Sequence, residues 1–114
     1  MKKLLICLLL LFPVNSYSVL SEYANIIVLD KVTANTKTYK MRIGETYAID
    51  SLDIFVQKCD KTPPEEVPES AVYLSIVEPE KSQDVIFQGW MFASNPSINS
   101  FEHAVYDVWL KSCE

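Results

Sequence analysis

Apolar and polar residues alternate along most of this chain with the two-residue period of half-buried β-strands. In residues 36–43, for example, Tyr39, Met41 and Ile43 fall on one face and polar side chains on the other. No long stretch shows the period of an amphipathic helix. The pattern predicts strands over residues 25–32, 36–43, 46–49, 52–59, 71–77, 85–92 and 105–113. Because short polar turns separate these strands, we expect an all-β fold, a small antiparallel β-sandwich or barrel.

Two segments near the C-terminus depart from simple alternation. Residues 85–92 are apolar on both faces, which is typical of a central strand that is covered on both sides. Asn95 and Pro96 then favour one short helical turn near the C-terminus. Pro96 suits the first helical position, and Ser94 or Asn95 can cap the turn.

Residues 62–70, with the sequence TPPEEVPES, carry three prolines and three glutamates, and Val67 is their only apolar residue. Proline cannot donate a hydrogen bond to a β-ladder, so this segment is expected to be an extended, solvated loop. It is either a connector or a proline-rich recognition segment. Its acidic composition favours the connector.

The N-terminus has the pattern of a cleaved signal peptide over residues 1–18. Lys2 and Lys3 precede an uncharged apolar run over residues 4–12, and Ser16-Tyr17-Ser18 resembles a cleavage site. The apolar run is about half the length of roughly 20 residues that a membrane span needs. We therefore expect a single exported β-domain over residues 19–114, located in the periplasm, with no membrane span after cleavage.

Charge and residue types exclude several kinds of ligand. The formal net charge of −5 becomes −7 when Lys2 and Lys3 leave with the signal peptide. Such a negative surface repels nucleic acid and anionic lipid headgroups. One histidine cannot complete a zinc shell by itself, and the chain has no calcium-loop motif. We expect no cofactor and no metal.

Only Cys59 and Cys113 remain after the signal peptide is removed. In an exported domain they most simply form one disulfide, and the alternative is a pair of free thiols. The two residues are 54 positions apart, for which a bridge contributes about 4 kcal/mol in the chain-entropy model. Strand alternation places both cysteines on the less apolar faces. A bridge there would set the last strand beside the strand over residues 52–59 and hold Phe55 near Trp109.

Residues 89–113 hold both tryptophans and the only histidine of the chain. The candidate binding surface in this segment comprises Trp90, Phe92, Phe101, His103 and Trp109. Large aromatic rings in a small sandwich either pack into the core or form an exposed patch for a partner. We favour the core for most of these rings and expect Phe101 to cover others.

His103 follows Glu102 and precedes Asp107, an arrangement that suggests acid–base chemistry. The nearby serines Ser94, Ser97 and Ser100 would complete the outline of a hydrolase triad. However, the chain has no G-x-S-x-G motif and no second histidine. We expect His103 to cap the helical turn or to bond a backbone carbonyl, and we expect no catalytic residues.

Three segments, KVTANTKTYKMRIGE, CDKTPPEEVPES and GWMFASNPSINSFEHAVYDVWLKSC, together resemble a family of small exported alphaproteobacterial proteins catalogued as domain of unknown function 2155. The resemblance covers residues 30–113. It implies an exported single domain with a bridge between Cys59 and Cys113, and it carries no established activity and no catalytic residues.

Three hypotheses of function follow from the sequence. The first is a non-enzymatic periplasmic module that binds another envelope protein. The second is a small-ligand or carbohydrate binder that uses Trp90 and Trp109 as stacking platforms. The third is a hydrolase that acts through His103. The oligomeric state and the identity of a partner stay open.

Overall fold

The computed structural model describes residues 19–97 and 99–114, and the predicted signal peptide lies outside the described residues. Nine strands account for the described secondary structure: β1 (Val19–Leu20), β2 (Tyr23–Asp30), β3 (Asn35–Arg42), β4 (Thr46–Ile49), β5 (Leu52–Lys61), β6 (Ser70–Val77), β7 (Val85–Phe92), β8 (Phe101–Glu102) and β9 (Tyr106–Cys113). Within these ranges no helix has the length and apolar character needed to cross a bilayer.

The strands form two antiparallel sheets that pack face to face. Sheet A has the order β1-β5-β6-β7, with β4 also paired to β5, and sheet B has the order β3-β2-β9-β8. The chain leaves sheet B after β3, builds most of sheet A, and returns to sheet B for β8 and β9. The prediction of an all-β antiparallel fold is confirmed. Of the two predicted architectures, sandwich and barrel, the structure is a sandwich.

The core lies between the inner faces of the two sheets. In β6, Val72, Leu74 and Ile76 are fully buried, and the residues between them point outward, as the alternation predicts. Each large apolar side chain buried in this way contributes about 1.5–3 kcal/mol relative to its exposed state. The other fully buried large side chains are Ile26, Met41, Leu52, Ile54, Val56, Met91, Val108 and Leu110.

Two β-bulges turn both cysteines into this core. In β5, Val56 pairs with Leu74 and Lys58 pairs with Tyr73, so Gln57 is an extra residue. In β9 the register shifts in the same way, and Lys111 is the extra residue. An extra residue reverses the alternation beyond it.

The prediction that the cysteines lie on the less apolar faces is therefore wrong, because uninterrupted alternation does not allow for the bulges. Cys59 is 1% exposed and Cys113 is 5% exposed. A disulfide joins them across the sandwich, with their Cα atoms 5.8 Å apart. The bridge thus links β5 of sheet A to β9 of sheet B. Phe55 and Trp109 lie on the outer faces of opposite sheets, so the bridge does not bring them together.

β7 is an edge strand of sheet A, and the prediction of a central strand is wrong. Among the described strands β7 pairs only with β6, and its first two residues, Val85 and Ile86, are 51% and 46% exposed. Its inner face is covered by Phe101, whose ring stacks on Phe87 at 5.9 Å. The apolar residues on its other face therefore remain at the surface.

The helical turn predicted near the C-terminus is not present in the described residues between β7 and β8, which form bends and one turn. The side chains predicted to cap it have other partners. Asn95 Oδ1 accepts a hydrogen bond from the Ser97 hydroxyl at 2.7 Å, and the Ser94 hydroxyl bonds to Glu69. Asn99 donates from its amide to the carbonyl of Trp90 at 2.5 Å, which holds the loop along the edge of β7.

Candidate functional site

Sheet A carries an unusual concentration of aromatic residues on its outer face. Tyr73 of β6 lies directly opposite Trp90 of β7, and Phe55 and Phe92 occupy diagonal positions on either side of Tyr73. We call the surface formed by Phe55, Tyr73, Trp90 and Phe92 the aromatic face. All four side chains are half-buried, so each keeps part of its ring accessible. The exposed residues Val85 and Ile86 extend this apolar surface at one end.

Tyr73 and Trp90 form the central pair of the aromatic face. Their ring centroids are 5.4 Å apart and their planes make an angle of 65°, which is an edge-to-face arrangement. This geometry is favourable because the positive edge of one ring meets the negative face of the other. Two rings inclined in this way form a notch and not a flat surface.

The bulge in β5 adds polar groups beside this pair. Because Gln57 is the extra residue, Gln57 and Lys58 follow each other on the outer side, next to Tyr73, and both are exposed. Gln57, Lys58, Tyr73 and Trp90 together line a shallow depression of about 230 Å³. The depression thus combines two rings, one amide and one ammonium group.

The five predicted surface residues do not form one site. Trp90 and Phe92 share the aromatic face of sheet A. Phe101 is 4% exposed and belongs to the core cluster. Trp109 lies opposite Ile27 on the outer face of sheet B, so the two tryptophans are on opposite sides of the sandwich. Trp90 and Trp109 therefore cannot stack on the same ligand, as the carbohydrate hypothesis had assumed.

His103 joins the two sheets at the end of the sandwich opposite the disulfide. Its Nε2 lies 3.2 Å from Oε1 of Glu78, a residue that follows β6 and is 8% exposed. Its Nδ1 accepts a hydrogen bond from the backbone N–H of Val105 at 3.0 Å, which leaves the proton on Nε2 for the carboxylate. Phe101 and Tyr106 pack around the imidazole, with ring centroids 5.9 and 5.8 Å from it.

Both ring nitrogens of His103 are therefore already engaged, and its carboxylate partner is Glu78. Asp107, which the sequence suggested for that role, instead pairs with Lys31 at 2.9 Å. Across the described part of the chain no serine hydroxyl bonds to His103. The same part of the chain contains no group of three His, Cys, Asp or Glu side chains placed to hold a metal ion.

The acidic proline loop, residues 62–69, is closed by its own hydrogen bonds. The backbone N–H of Thr62 donates to the carbonyl of Glu69, and the Thr62 hydroxyl bonds both to the carbonyl of Val67 and to the N–H of Glu69, each at 3.0 Å. The loop ends in an anchor to the start of β6 and to the segment after β7, because the Glu69 carboxylate accepts hydrogen bonds from Ser70 and Ser94. This arrangement fits the predicted connector, held close to the disulfide.

The anchor at Glu69 predicts a dependence of stability on pH. The Ser94 hydroxyl, and after it the backbone N–H groups of Ser94 and Ser70, hold the pKa of the Glu69 carboxyl below its ordinary value of 4.5. A carboxyl group whose pKa is lower in the folded state than in the unfolded state stabilises the fold at pH values above its unfolded pKa. This stabilisation is lost as the pH falls through the folded pKa. Urea unfolding at about pH 7, 5 and 3 should show Glu69→Gln less stable than the wild type at neutral pH, with the difference shrinking as the pH falls. Glu66→Gln, an exposed neighbour, should show no such convergence.

Sequence reasoning missed Tyr73, Gln57 and Lys58 as members of a site. The alternation of residues 71–77 already placed Tyr73 on the face away from the core. The alternation did not show the register that sets Tyr73 opposite Trp90. It also did not show the bulge that brings Lys58 beside Tyr73 and Trp90. Glu78 was missed for the same reason, because only the packing of the two sheets brings it to His103.

Comparison with known proteins places the chain in a bacterial family. The family model described as "Uncharacterized protein conserved in bacteria (DUF2155)" matches residues 24–113. The "Uncharacterized protein RP359" of Rickettsia prowazekii (strain Madrid E) is 32% identical over 104 residues, which cover 87% of this chain and 67% of the relative. No solved structure matches the chain. The resemblance predicted from the sequence is confirmed. Since the matched residues run from β2 to the second cysteine of the bridge, the chain belongs to the DUF2155 family of uncharacterized bacterial proteins.

Proposed function

We propose that this protein is a non-enzymatic binding module of the cell envelope that docks another envelope protein through the aromatic face of sheet A. The observation that carries this proposal is the presence of four half-buried aromatic side chains on the outer face of a two-layer sandwich. In such a fold the outer faces are usually polar, because only the inner faces are needed for the core. A few residues, most often Trp, Tyr and Arg, carry most of the binding energy of protein interfaces, and the aromatic face has one Trp and one Tyr at its centre.

Export to the periplasm is supported by two features. Residues 1–18 have the pattern of a cleaved leader, and Cys59 and Cys113 are paired in a buried bridge. Disulfides form and persist in oxidising compartments, of which the periplasm is one. A surface for a partner in that compartment is consistent with both features.

A non-enzymatic role is supported by the environment of His103. A general base needs a free nitrogen within hydrogen-bonding distance of the proton that it removes. In this protein the backbone N–H of Val105 occupies Nδ1, and Nε2 is directed at Glu78. The imidazole is better explained as a link between β6 and β8.

Photo-crosslinking in cells of the native host tests the docking surface. Gln88 is exposed on the aromatic face, opposite Ser75, so a photoreactive residue there replaces none of the four rings. Thr38, exposed on the outer face of sheet B, is the matched control position. We expect a discrete protein adduct from position 88 and none from position 38, and Trp90→Ala should weaken it. Equal adducts from both positions in folded, oxidised protein would contradict the proposal.

The depression beside Trp90 favours a second candidate, a saccharide-binding module. Small-molecule sites combine aromatic side chains with a few placed polar groups, and the depression lined by Gln57, Lys58, Tyr73 and Trp90 has this composition. In this candidate function the second stacking ring beside Trp90 is Tyr73, and not Trp109 as the sequence suggested.

A further inference from the structure

We propose that the depression formed by Gln57, Lys58, Tyr73 and Trp90 is a subsite for a single sugar ring that carries a carboxylate. The subsite proposal rests on the proposed function in one respect, that the outer face of sheet A is the binding face. It assigns a ligand class to one part of that face. The subsite can exist whether or not a protein partner docks there.

The two rings supply the surface for the apolar side of a sugar. A pyranose ring has C–H groups on one side and hydroxyl groups around its rim. The C–H groups carry partial positive charge, and the face of an aromatic ring is negative, so the two attract each other. Tyr73 and Trp90 are inclined by 65° at a centroid distance of 5.4 Å. A ring that lies on one of them therefore has the other beside it, which orients it in the notch.

Gln57 and Lys58 supply the groups that a hydroxyl rim needs. The Gln57 amide has an acceptor and two donors, and the Lys58 ammonium has three donors. Regular alternation would send one of these consecutive residues inward. The bulge in β5 instead leaves both exposed beside Tyr73. Bulges are frequent next to binding sites because they redirect side chains in this way.

The preference for a carboxylate follows from the charge of the lining. Lys58 is the only charged residue among the four, and within the described ranges it has no ion-pair partner. The neighbouring carboxylates of β5, Asp53 and Asp60, do not line the depression. The net charge of the protein is negative, but at physiological ionic strength charges are screened beyond about 8 Å. Lys58 is therefore the charged group that lines the subsite and faces a bound carboxylate.

The size of the depression limits the ligand to one ring. Its volume of about 230 Å³ is below the range of roughly 300–1,000 Å³ of sites that enclose a drug-sized molecule. Because the depression is also shallow, we expect weak binding of a free monosaccharide, with a Kd on the order of 1 mM. A longer glycan would extend over Phe55 or Phe92.

Nuclear magnetic resonance of the two indole N–H groups tests the proposal on the oxidised mature protein. Trp90 lies in the depression and Trp109 lies on the opposite sheet, so Trp109 is an internal control. The Trp109→Phe variant assigns the two signals. Two pairs of probes separate the possible sources of the carboxylate: glucuronic acid against glucose, and N-acetylmuramic acid against N-acetylglucosamine. We expect the acidic member of at least one pair to move the Trp90 signal alone and to bind about tenfold more tightly than its neutral partner.

Substitutions distinguish the subsite from nonspecific contact. Lys58→Gln should remove the tenfold preference and keep weak binding of the neutral sugar. Tyr73→Ala, which keeps the Trp90 indole as the reporter, should abolish binding of both sugars. Lys111→Gln is the matched control, because Lys111 is the exposed lysine at the bulge of β9 in sheet B. It should leave both affinities unchanged. Equal movement of both indole signals, no movement of Trp90 with any of the four sugars, or an unchanged preference in Lys58→Gln would each overturn the proposal. A protein adduct at position 88 without any sugar binding would overturn the subsite and leave the proposed function standing.

Discussion

Replacing both Cys59 and Cys113 with alanine is expected to lower the free energy of unfolding by about 4 kcal/mol. The bridge closes a separation of 54 residues and joins the two sheets, so its loss returns much conformational freedom to the unfolded chain. Cys59 and Cys113 are also buried, at 1% and 5% exposure. Their replacement by alanine therefore leaves empty space in the core, which adds to the loss of stability. For a domain of this size the melting temperature should fall by roughly 15–30 °C.

Urea or thermal unfolding with and without a thiol reductant measures this effect. The reductant should destabilise the wild type and leave the double alanine variant unchanged, which separates loss of the bridge from any other effect of the substitutions. Only the paired substitution leaves no free thiol among residues 19–114, so it is preferred to either single change. A loss of less than about 1 kcal/mol would show that the bridge is not a main tie between the sheets.

His103→Ala is expected to destabilise the protein by about 2 kcal/mol. The change leaves the largely buried Glu78 carboxylate without its imidazole donor and leaves the N–H of Val105 without an acceptor. It also removes a ring from between Phe101 and Tyr106. A histidine that served only catalysis would give the opposite result, loss of an activity with unchanged stability.

Lys81→Ala is the matched control for this experiment. Lys81 approaches the same Oε1 of Glu78 at 3.7 Å, but its side chain is 74% exposed, so its removal should cost less than about 0.5 kcal/mol. Urea unfolding of both variants at neutral pH compares a buried and an exposed partner of one carboxylate. If His103→Ala were as stable as the wild type, the link between β6 and β8 would have to lie elsewhere.

The two ties between the sheets lie away from the aromatic face. The disulfide holds the sheets together at one end of the sandwich, and the Glu78–His103 pair holds them at the other. Neither tie uses a residue of the aromatic face. Trp90 and Tyr73 can therefore be substituted without removing a connection between the sheets, which makes the binding experiments interpretable.

Much of the fold could be predicted from local pattern. The observed bounds of β4 and β7 equal the predicted ranges 46–49 and 85–92, and β6 differs by one residue. The acidic proline loop was recognised because proline excludes a segment from a ladder. By contrast, the helical turn was predicted from Pro96 and the capping residues before it. In the structure the Ser94 side chain bonds to Glu69 and the Asn95 side chain bonds to Ser97.

The candidate site was only partly predictable. Trp90 and Phe92 were identified by residue type, but residue type did not show that Phe101 is buried against Phe87 or that Trp109 lies on the other sheet. The position of β7 at an edge likewise has no local signal, because an apolar strand looks the same whether a neighbouring strand or a ligand covers it.

By itself, the sequence determined that this protein is an antiparallel all-β domain with one cysteine pair, because the two-residue period and the turn residues act locally. The tertiary structure alone decided on which side of the two bulged strands, β5 and β9, the later residues lie. A bulge exists only relative to a partner strand, and the bulges at Gln57 and Lys111 depend on pairings with β6 and β2. Each bulge reverses every position beyond it, so the burial of both cysteines and the place of Lys58 beside Tyr73 follow from contacts between distant residues.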